Sequence, residues 1–245
     1  MTRLNVLRVL ATVCTLINFA YAHANTIDVV DYMNAHIAAP ATPGGNVQKY
    51  NRAKDFGTWM HQDPSNPCYD TREMILARED DPKVSVTYNK SGCTISSGLW
   101  HDPYSGADFT SAGDLQIDHV VPLANAYYAG AYAWSGPIRC NYANFIANDF
   151  HLRAVKGHEN TSKSDKGPDQ YLPPNKADLC DYVSSWMKIK MIWELTTTQA
   201  EANAIVKVLS AQQCGSEFTT MEDSELSAQR TAASVPIDAC ANFPN

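Results

Sequence analysis

The sequence lacks four features that would have pointed to common classes of protein. No two cysteines have the Cys-x-x-Cys spacing of zinc-thiolate sites, which argues against a structural zinc centre. Lys and Arg number 19 against 26 Asp and Glu, so the chain as a whole has no basic excess for tight binding of long duplexes. Beyond the first 24 residues no apolar run approaches the ~20 residues that span a bilayer. No segment repeats, which excludes a solenoid.

Residues 1–24 have the order of an export signal. Two arginines precede an apolar run from Val9 to Ala20, and small residues permit cleavage after Ala22 or Ala24. The run is too short for a membrane anchor. We therefore expect a signal peptide at 1–24 and a mature protein that is secreted or periplasmic after bacterial export.

The cysteines that remain after cleavage favour disulfides. There are six of them, an even number in an exported chain: Cys68, Cys93, Cys140, Cys180, Cys214 and Cys240. Many pairings are possible. Chain order alone suggests Cys68–Cys93, Cys140–Cys180 and Cys214–Cys240.

Charge is distributed unevenly along the mature chain. Loss of the two arginines leaves 17 basic against 26 acidic residues, a net charge of −9. Residues 217–245 carry five Asp or Glu against a single Arg, whereas residues 139–190 carry eight Lys or Arg against six Asp or Glu. A mildly basic centre is compatible with a phosphate-containing substrate. We expect the acidic segment 214–245 to be loosely ordered and tethered at Cys240.

Periodicity and capping residues predict the scaffold. Residues 27–37 can form a helix, followed by a Pro- and Gly-rich linker, so that 25–66 is an N-terminal helix and linker. Asp70 with Glu73 predicts the start of a helix over 68–79, and residues 83–96 predict a hairpin. Apolar spacing predicts two further helices, over 178–195 and from a capping box at Thr198 to Gln212.

The stretch 115–168 contains the residues that indicate chemistry. β-Branched residues ending at Pro122 predict a short strand that carries Asp118 and His119 near its end. Alternation over 151–155 predicts a second strand, and the polar run from Gly157 predicts a short helix. Because neighbouring strand residues point to opposite faces, Asp118 and His119 can share a site only where the strand ends or bends.

Several motifs in this order resemble those of a known family. They are Asp-His-Val-Val-Pro-Leu-Ala at 118–124, Ala-Asn-Asp at 147–149, Asn-x-x-Lys-Ser-Asp at 160–165 and Leu-Pro-Pro-Asn at 172–175. The pattern, with matching segments at 68–72 and 97–104, resembles the secreted bacterial HNH, or ββα-metal, endonucleases. The resemblance implies an α+β single domain at 67–213 around a ββα-metal core at 115–168. It also implies hydrolysis of phosphodiester bonds in DNA or RNA.

The residues and the resemblance agree on three roles. Asp118 and Asn160 offer hard oxygen ligands of the type that Mg²⁺ prefers. His119 can accept the proton of an attacking water, since an unperturbed imidazole titrates near neutral pH. Mg²⁺ is the expected cofactor, and Mn²⁺, Zn²⁺ or Ni²⁺ stay open.

Five other residues are candidates for secondary roles. His151 stands where many relatives have Asn, so that it could orient His119 or add a nitrogen ligand for a softer metal. His158 is a further possible metal ligand. Arg72, Arg153 and Lys163 are possible phosphate contacts, and the alternatives are a structural ion pair for Arg72 and a solvated position for Lys163.

Two other features have a functional and a structural interpretation. His101 and Asp102 form a second His/Asp pair, but Pro103 and Gly106 favour a structural turn. Aromatic residues between 127 and 134 could stack on bases or cover the core.

The sequence therefore predicts an exported, metal-dependent nuclease that acts on a nucleic-acid substrate, with no obligate protein partner evident. Two alternatives stay open: hydrolysis of another phosphodiester, and an inactive module that keeps the fold for binding.

Overall fold

The computed structural model describes residues 25–44 and 47–245, so the expected signal peptide lies outside the described residues. The described chain is a mixed α/β structure with three disulfides. Its strands are β1 (Thr26–Asp28), β2 (Thr87–Tyr88), β3 (Ile95–His101), β4 (Asp108–Ser111), β5 (Leu115–His119), β6 (Leu152–Lys156) and β7 (Thr220–Glu222). Its helices are α1 (Val29–Ala35), α2 (Arg52–Asp55), α3 (Thr71–Arg78), α4 (Leu123–Tyr128), α5 (Gly136–Ala143), α6 (Gly157–Lys163), α7 (Leu179–Ile192), α8 (Gln199–Gln212) and α9 (Asp223–Ser234).

The capping residues begin their helices where the sequence predicted. The Asp70 carboxylate accepts from the Glu73 backbone N–H at the start of α3. At the start of α8, Thr198 and Glu201 each bond the other's backbone N–H, which completes the capping box. Residues 83–96 contribute an antiparallel pair, β2 and β3, as the hairpin prediction required.

The strands form three small antiparallel sheets. β2, β3 and β4 form one sheet in that order, β5 pairs with β6, and β1 pairs with β7. In the β5–β6 sheet Asp118 is opposite Arg153, and His119 is opposite Leu152. Helix α6 follows β6 directly and contacts both strands. The predicted order of strand, long connection, strand and helix is therefore present.

Two apolar cores hold these elements together. The larger one surrounds α7, whose Tyr182, Trp186 and Ile189 are fully buried. The smaller one lies between α3, β3 and the β5–β6 sheet, and contains Leu76, Trp100 and other buried side chains. No helix among residues 25–44 and 47–245 is long and apolar enough to cross a membrane.

The prediction of a loosely ordered C-terminal segment is wrong. Residues 220–222 form β7, which pairs with β1 near the beginning of the described chain. Helix α9 follows and buries Leu226 and Ala233 against the larger core. These few apolar anchors are enough because they dock onto surfaces formed by α5 and α7, which a local scan of polarity does not detect.

The disulfide prediction is correct for Cys68–Cys93 and wrong for the other two pairs. The structure joins Cys140 to Cys240 and Cys180 to Cys214. Cys180 lies at the start of α7 and Cys214 just beyond the end of α8. Because these two 14-residue helices pack together across a short connection, the start of one lies near the end of the other.

The pairings predict a graded loss of stability. Cys140→Ala with Cys240→Ala opens a link across 100 positions, whereas Cys68→Ala with Cys93→Ala opens one across 25. Loop-closure entropy then predicts losses of roughly 4–5 and 3–4 kcal/mol in the free energy of unfolding. Urea unfolding measures both, and mass spectrometry of non-reduced peptides reads the pairing. A peptide that joined Cys140 to Cys180 would contradict the structure.

Candidate functional site

Three predicted site residues line one cleft at the end of β5. Asp118, His119 and Asn160 border a space of about 230 Å³, together with Arg52 and Asp165. β5 supplies the first two residues, and α6 supplies Asn160. The cleft therefore lies between the β5–β6 sheet and the helix that follows it.

Asp118 and His119 share this cleft because β5 ends at His119. Strand alternation turns Ile117 toward the smaller core and Asp118 to the opposite face. Residues 120 and 121 form a bend, and the Val120 N–H donates to the His151 carbonyl oxygen at 3.1 Å. The strand end at this pair was predicted from the sequence.

The His119 ring has a defined tautomer. Its Nε2 lies 2.9 Å from the Ala143 carbonyl oxygen, and a carbonyl can only accept, so Nε2 carries the proton. Nδ1 is left as a lone-pair acceptor. The ring is nearly parallel to Trp59, with centroids 5.1 Å apart. Burial lowers the pKa of His119 well below its ordinary value, which favours the neutral imidazole.

The end of α5 holds His119 and two neighbouring side chains in place. The last carbonyls of a helix have no partner within it. Here His119 donates to the carbonyl of Ala143, His151 Nε2 to that of Tyr142 at 2.8 Å, and Asn144 Nδ2 to that of Cys140 at 3.0 Å. The two imidazoles thus bond consecutive carbonyls.

Asp118 is held by two buried donors. The Lys163 ammonium lies 2.8 Å from Oδ1, and the Tyr104 hydroxyl lies 2.7 Å from Oδ2. Lys163 is fully buried and also donates to the His119 carbonyl oxygen at 2.9 Å. Burial lowers the pKa of Lys163, and the Asp118 carboxylate opposes that shift. The arrangement fixes the carboxylate beside the cleft.

The cleft offers oxygen donors of the kind that a hard cation takes. Asn160 Nδ2 donates to Gln116 Oε1 at 3.0 Å, so its own Oδ1 is turned away from that bond. Each Asp118 oxygen accepts one bond and retains a second lone pair. The described residues contain no group of three or more His, Cys, Asp or Glu that could hold a metal ion. A cation held here would take few protein ligands and would have to keep most of its waters, as Mg²⁺ does in proteins.

Four other predicted site residues lie outside the cleft. The exposed His158 contacts Glu159. The Arg72 guanidinium bonds the Glu73 carboxylate and the Ala112 carbonyl. The buried Arg153 bonds Asp178, Asp181 and Ser185. His151 is enclosed by Tyr142, Phe145 and Trp193.

These contacts correct several expectations. Arg72 and Arg153 have protein partners in place of a phosphate, so the structural reading of Arg72 is correct. The solvated position considered for Lys163 is wrong, since Lys163 is an internal partner of Asp118. His151 has no access to the cleft and can act on His119 only indirectly.

Comparisons with known proteins identify a family for the part of the chain that contains β5, β6 and α6. Residues 69–208 match the family described as the C-terminal domain of GmrSD restriction endonucleases. The chain belongs to this family. An uncharacterized secreted protein of the fungus Arthroderma benhamiae is 39% identical over 168 residues, which is 69% of this chain and 78% of that protein. No solved structure matches.

The family match covers Asp118, His119 and Asn160 but begins after Arg52, which lines the cleft, and Trp59, which stacks on His119. Both come from the segment 25–66, which was predicted to be an N-terminal helix and linker. Tyr104 was also missed, although it lies in the turn at 100–106. Asp102 accepts from the backbone N–H groups of Tyr104 and Ser105, so the structural interpretation of this turn is correct.

The buried pair of Lys163 and Asp118 predicts a large effect on folding. Lys163→Met leaves a buried carboxylate without its cation, so the free energy of unfolding should fall by roughly 3–5 kcal/mol. Adding Asp118→Asn should recover much of the loss, because the neutral amide does not need a cation. Lys166→Met is the matched control, since exposed Lys166 bonds only the Ser162 carbonyl. Equal urea midpoints for both single variants would contradict the pair.

Proposed function

We propose that this protein is an exported, metal-dependent nuclease that hydrolyses phosphodiester bonds of DNA or RNA by an HNH mechanism. The observation that carries the proposal is the His119 tautomer, which leaves Nδ1 as an acceptor on a residue that lines the same cleft as Asp118 and Asn160. Membership of the GmrSD C-terminal domain family supports a nuclease. The hairpin β5–β6 and helix α6 are proposed as the ββα core.

His119 is proposed as the general base. Nδ1 accepts a proton from the attacking water, while Nε2 stays bonded to the Ala143 carbonyl and keeps the ring from rotating. The stacked Trp59 restrains the plane of the same ring. His151 is proposed to orient His119 indirectly, because it bonds the Tyr142 carbonyl, which is next to the Ala143 carbonyl that His119 bonds.

Asp118 and Asn160 would hold the divalent cation, with Lys163 and Tyr104 fixing the carboxylate. The bound cation would supply charge neutralisation at the phosphate and help for the leaving oxygen. Mg²⁺ is proposed because the available donors are oxygens. His151 and His158, the two histidines considered as extra nitrogen ligands for Zn²⁺ or Ni²⁺, lie outside the cleft. Mn²⁺ accepts the same oxygen donors as Mg²⁺.

Export is proposed from two supports. The three disulfides need an oxidising compartment. The fungal relative is described as secreted. Together with the expected signal at 1–24, they support an activity outside the cytoplasm.

Purified mature protein should cleave a nucleic acid, and a chelator should abolish the cleavage. The substrates are supercoiled plasmid, a single-stranded RNA and bis(p-nitrophenyl) phosphate, each tested with Mg²⁺, with Mn²⁺ and with EDTA. Cleavage confined to the small diester would favour the other metallohydrolase. Absence of turnover in every arm, with retained binding of RNA or plasmid, would favour the inactive module.

His119→Ala should lower kcat by roughly 10²–10⁴-fold, the usual contribution of a positioned general base. His158→Ala is the matched control, because this exposed imidazole lies outside the cleft and should be dispensable. Excess metal should not restore the rate of His119→Ala, since a cation cannot replace the lost proton acceptor. Wild-type kcat for His119→Ala on every substrate would exclude the mechanism.

A further inference from the structure

We propose that residues 51–60, which precede the family-matched region, complete the site: Arg52 binds the phosphate of the substrate, and Trp59 positions His119. The inference rests on the proposed function for the identity of the substrate. Both side chains come from α2 and the segment that follows it, outside the proposed ββα core.

Trp59 is placed by Asn144, whose side chain uses all of its hydrogen-bonding capacity. Asn144 Oδ1 accepts from the Met60 N–H at 2.8 Å and from the Thr71 hydroxyl at 2.7 Å. Its Nδ2 donates to the Thr58 carbonyl at 3.2 Å, as well as to α5. The residues on both sides of Trp59 are thus fixed to the helix end that orients His119. The buried Asn144 amide thus fixes the backbone around Trp59 relative to the helix end that His119 bonds.

Arg52 stands on a short helix that is anchored at both ends. Asn51 caps α2 by accepting from the Lys54 N–H at 3.0 Å, and Arg139 Nε donates to the Asp55 carbonyl at 2.8 Å. The Arg52 guanidinium lies 5.3 Å from the centre of the Trp59 ring. The anchored backbone of α2 and the contact with the Trp59 ring together fix where the Arg52 side chain lies relative to the cleft.

The Arg52 guanidinium has the free donors that a phosphate needs. It lines the cleft with Asp118 and His119, yet its side chain forms no hydrogen bond or ion pair with any residue in the described part of the chain. The Lys163 ammonium already bonds the Asp118 carboxylate and the His119 carbonyl. A guanidinium presents its donors in a fork that matches two phosphate oxygens. Arg52 is thus the group at the cleft that can receive the anionic substrate.

Steady-state cleavage separates the two roles. Arg52→Gln should raise KM for bis(p-nitrophenyl) phosphate and for a 12-nucleotide strand by roughly 10–100-fold, the contribution of a charge-assisted bond, with little change in kcat. Lys54→Gln is the matched control, since it removes the same charge from the same helix but its ammonium bonds Gln48. Trp59→Leu should lower kcat by roughly 10–100-fold through misplacement of the base. Trp59→Phe should restore most of it, because a ring again covers His119.

Binding supplies a readout that does not depend on turnover. In the His119→Ala background, fluorescence anisotropy of a labelled 12-nucleotide strand should show weaker affinity for Arg52→Gln than for Lys54→Gln. If wild-type protein cleaves and the two charge variants have the same KM, the assignment of Arg52 fails while the function stands. If nothing is cleaved but Arg52→Gln alone weakens binding, the nuclease proposal fails and Arg52 stays a substrate contact. Equal kcat for Trp59→Leu and Trp59→Phe would exclude the positioning role.

Discussion

The need to satisfy the last carbonyls of α5 shapes the whole site. A helix end that is buried must find donors from elsewhere in the chain, since an unpaired buried carbonyl costs roughly 1–3 kcal/mol. This chain supplies two imidazoles and one amide, at His119, His151 and Asn144. The donor for Ala143 thereby loses the freedom to rotate and to choose its tautomer. One structural requirement thus makes the proposed base ready before any substrate arrives.

A second buried polar group joins the elements around the cleft. The carboxylate of Asp118 on β5 receives Lys163 from α6 and Tyr104 from the turn after β3. An ion pair removed from water is costly unless it is well bonded, and both oxygens here have close donors. The turn that looked like a separate His/Asp candidate therefore contributes to the site through its tyrosine. Its His101 instead faces outward and bonds Asp108.

Local sequence predicted the elements better than it predicted the partners of side chains. Capping boxes, apolar spacing and the strand end at His119 depend on neighbours within a few residues, so they were readable. The pairing of Cys140 with Cys240, the docking of α9 and the partners of Arg153 depend on contacts across the fold, for which composition gives no signal. Arg52 was missed for the same reason, because only the folded chain brings the supposed linker to β5.

The disulfide between Cys140 and Cys240 ties the C-terminal segment to α5, the helix whose end orients His119. Cys140 lies in α5, three residues before the carbonyl that His119 uses, and the Asn144 amide bonds the Cys140 carbonyl itself. The C-terminus also reaches the other end of this helix, where Asn245 accepts from the Gly136 N–H at 2.7 Å. Oxidation thus braces the helix along its length. In a reducing cytosol the same polypeptide would lack this disulfide, so an oxidising compartment is needed to complete the fold around α5.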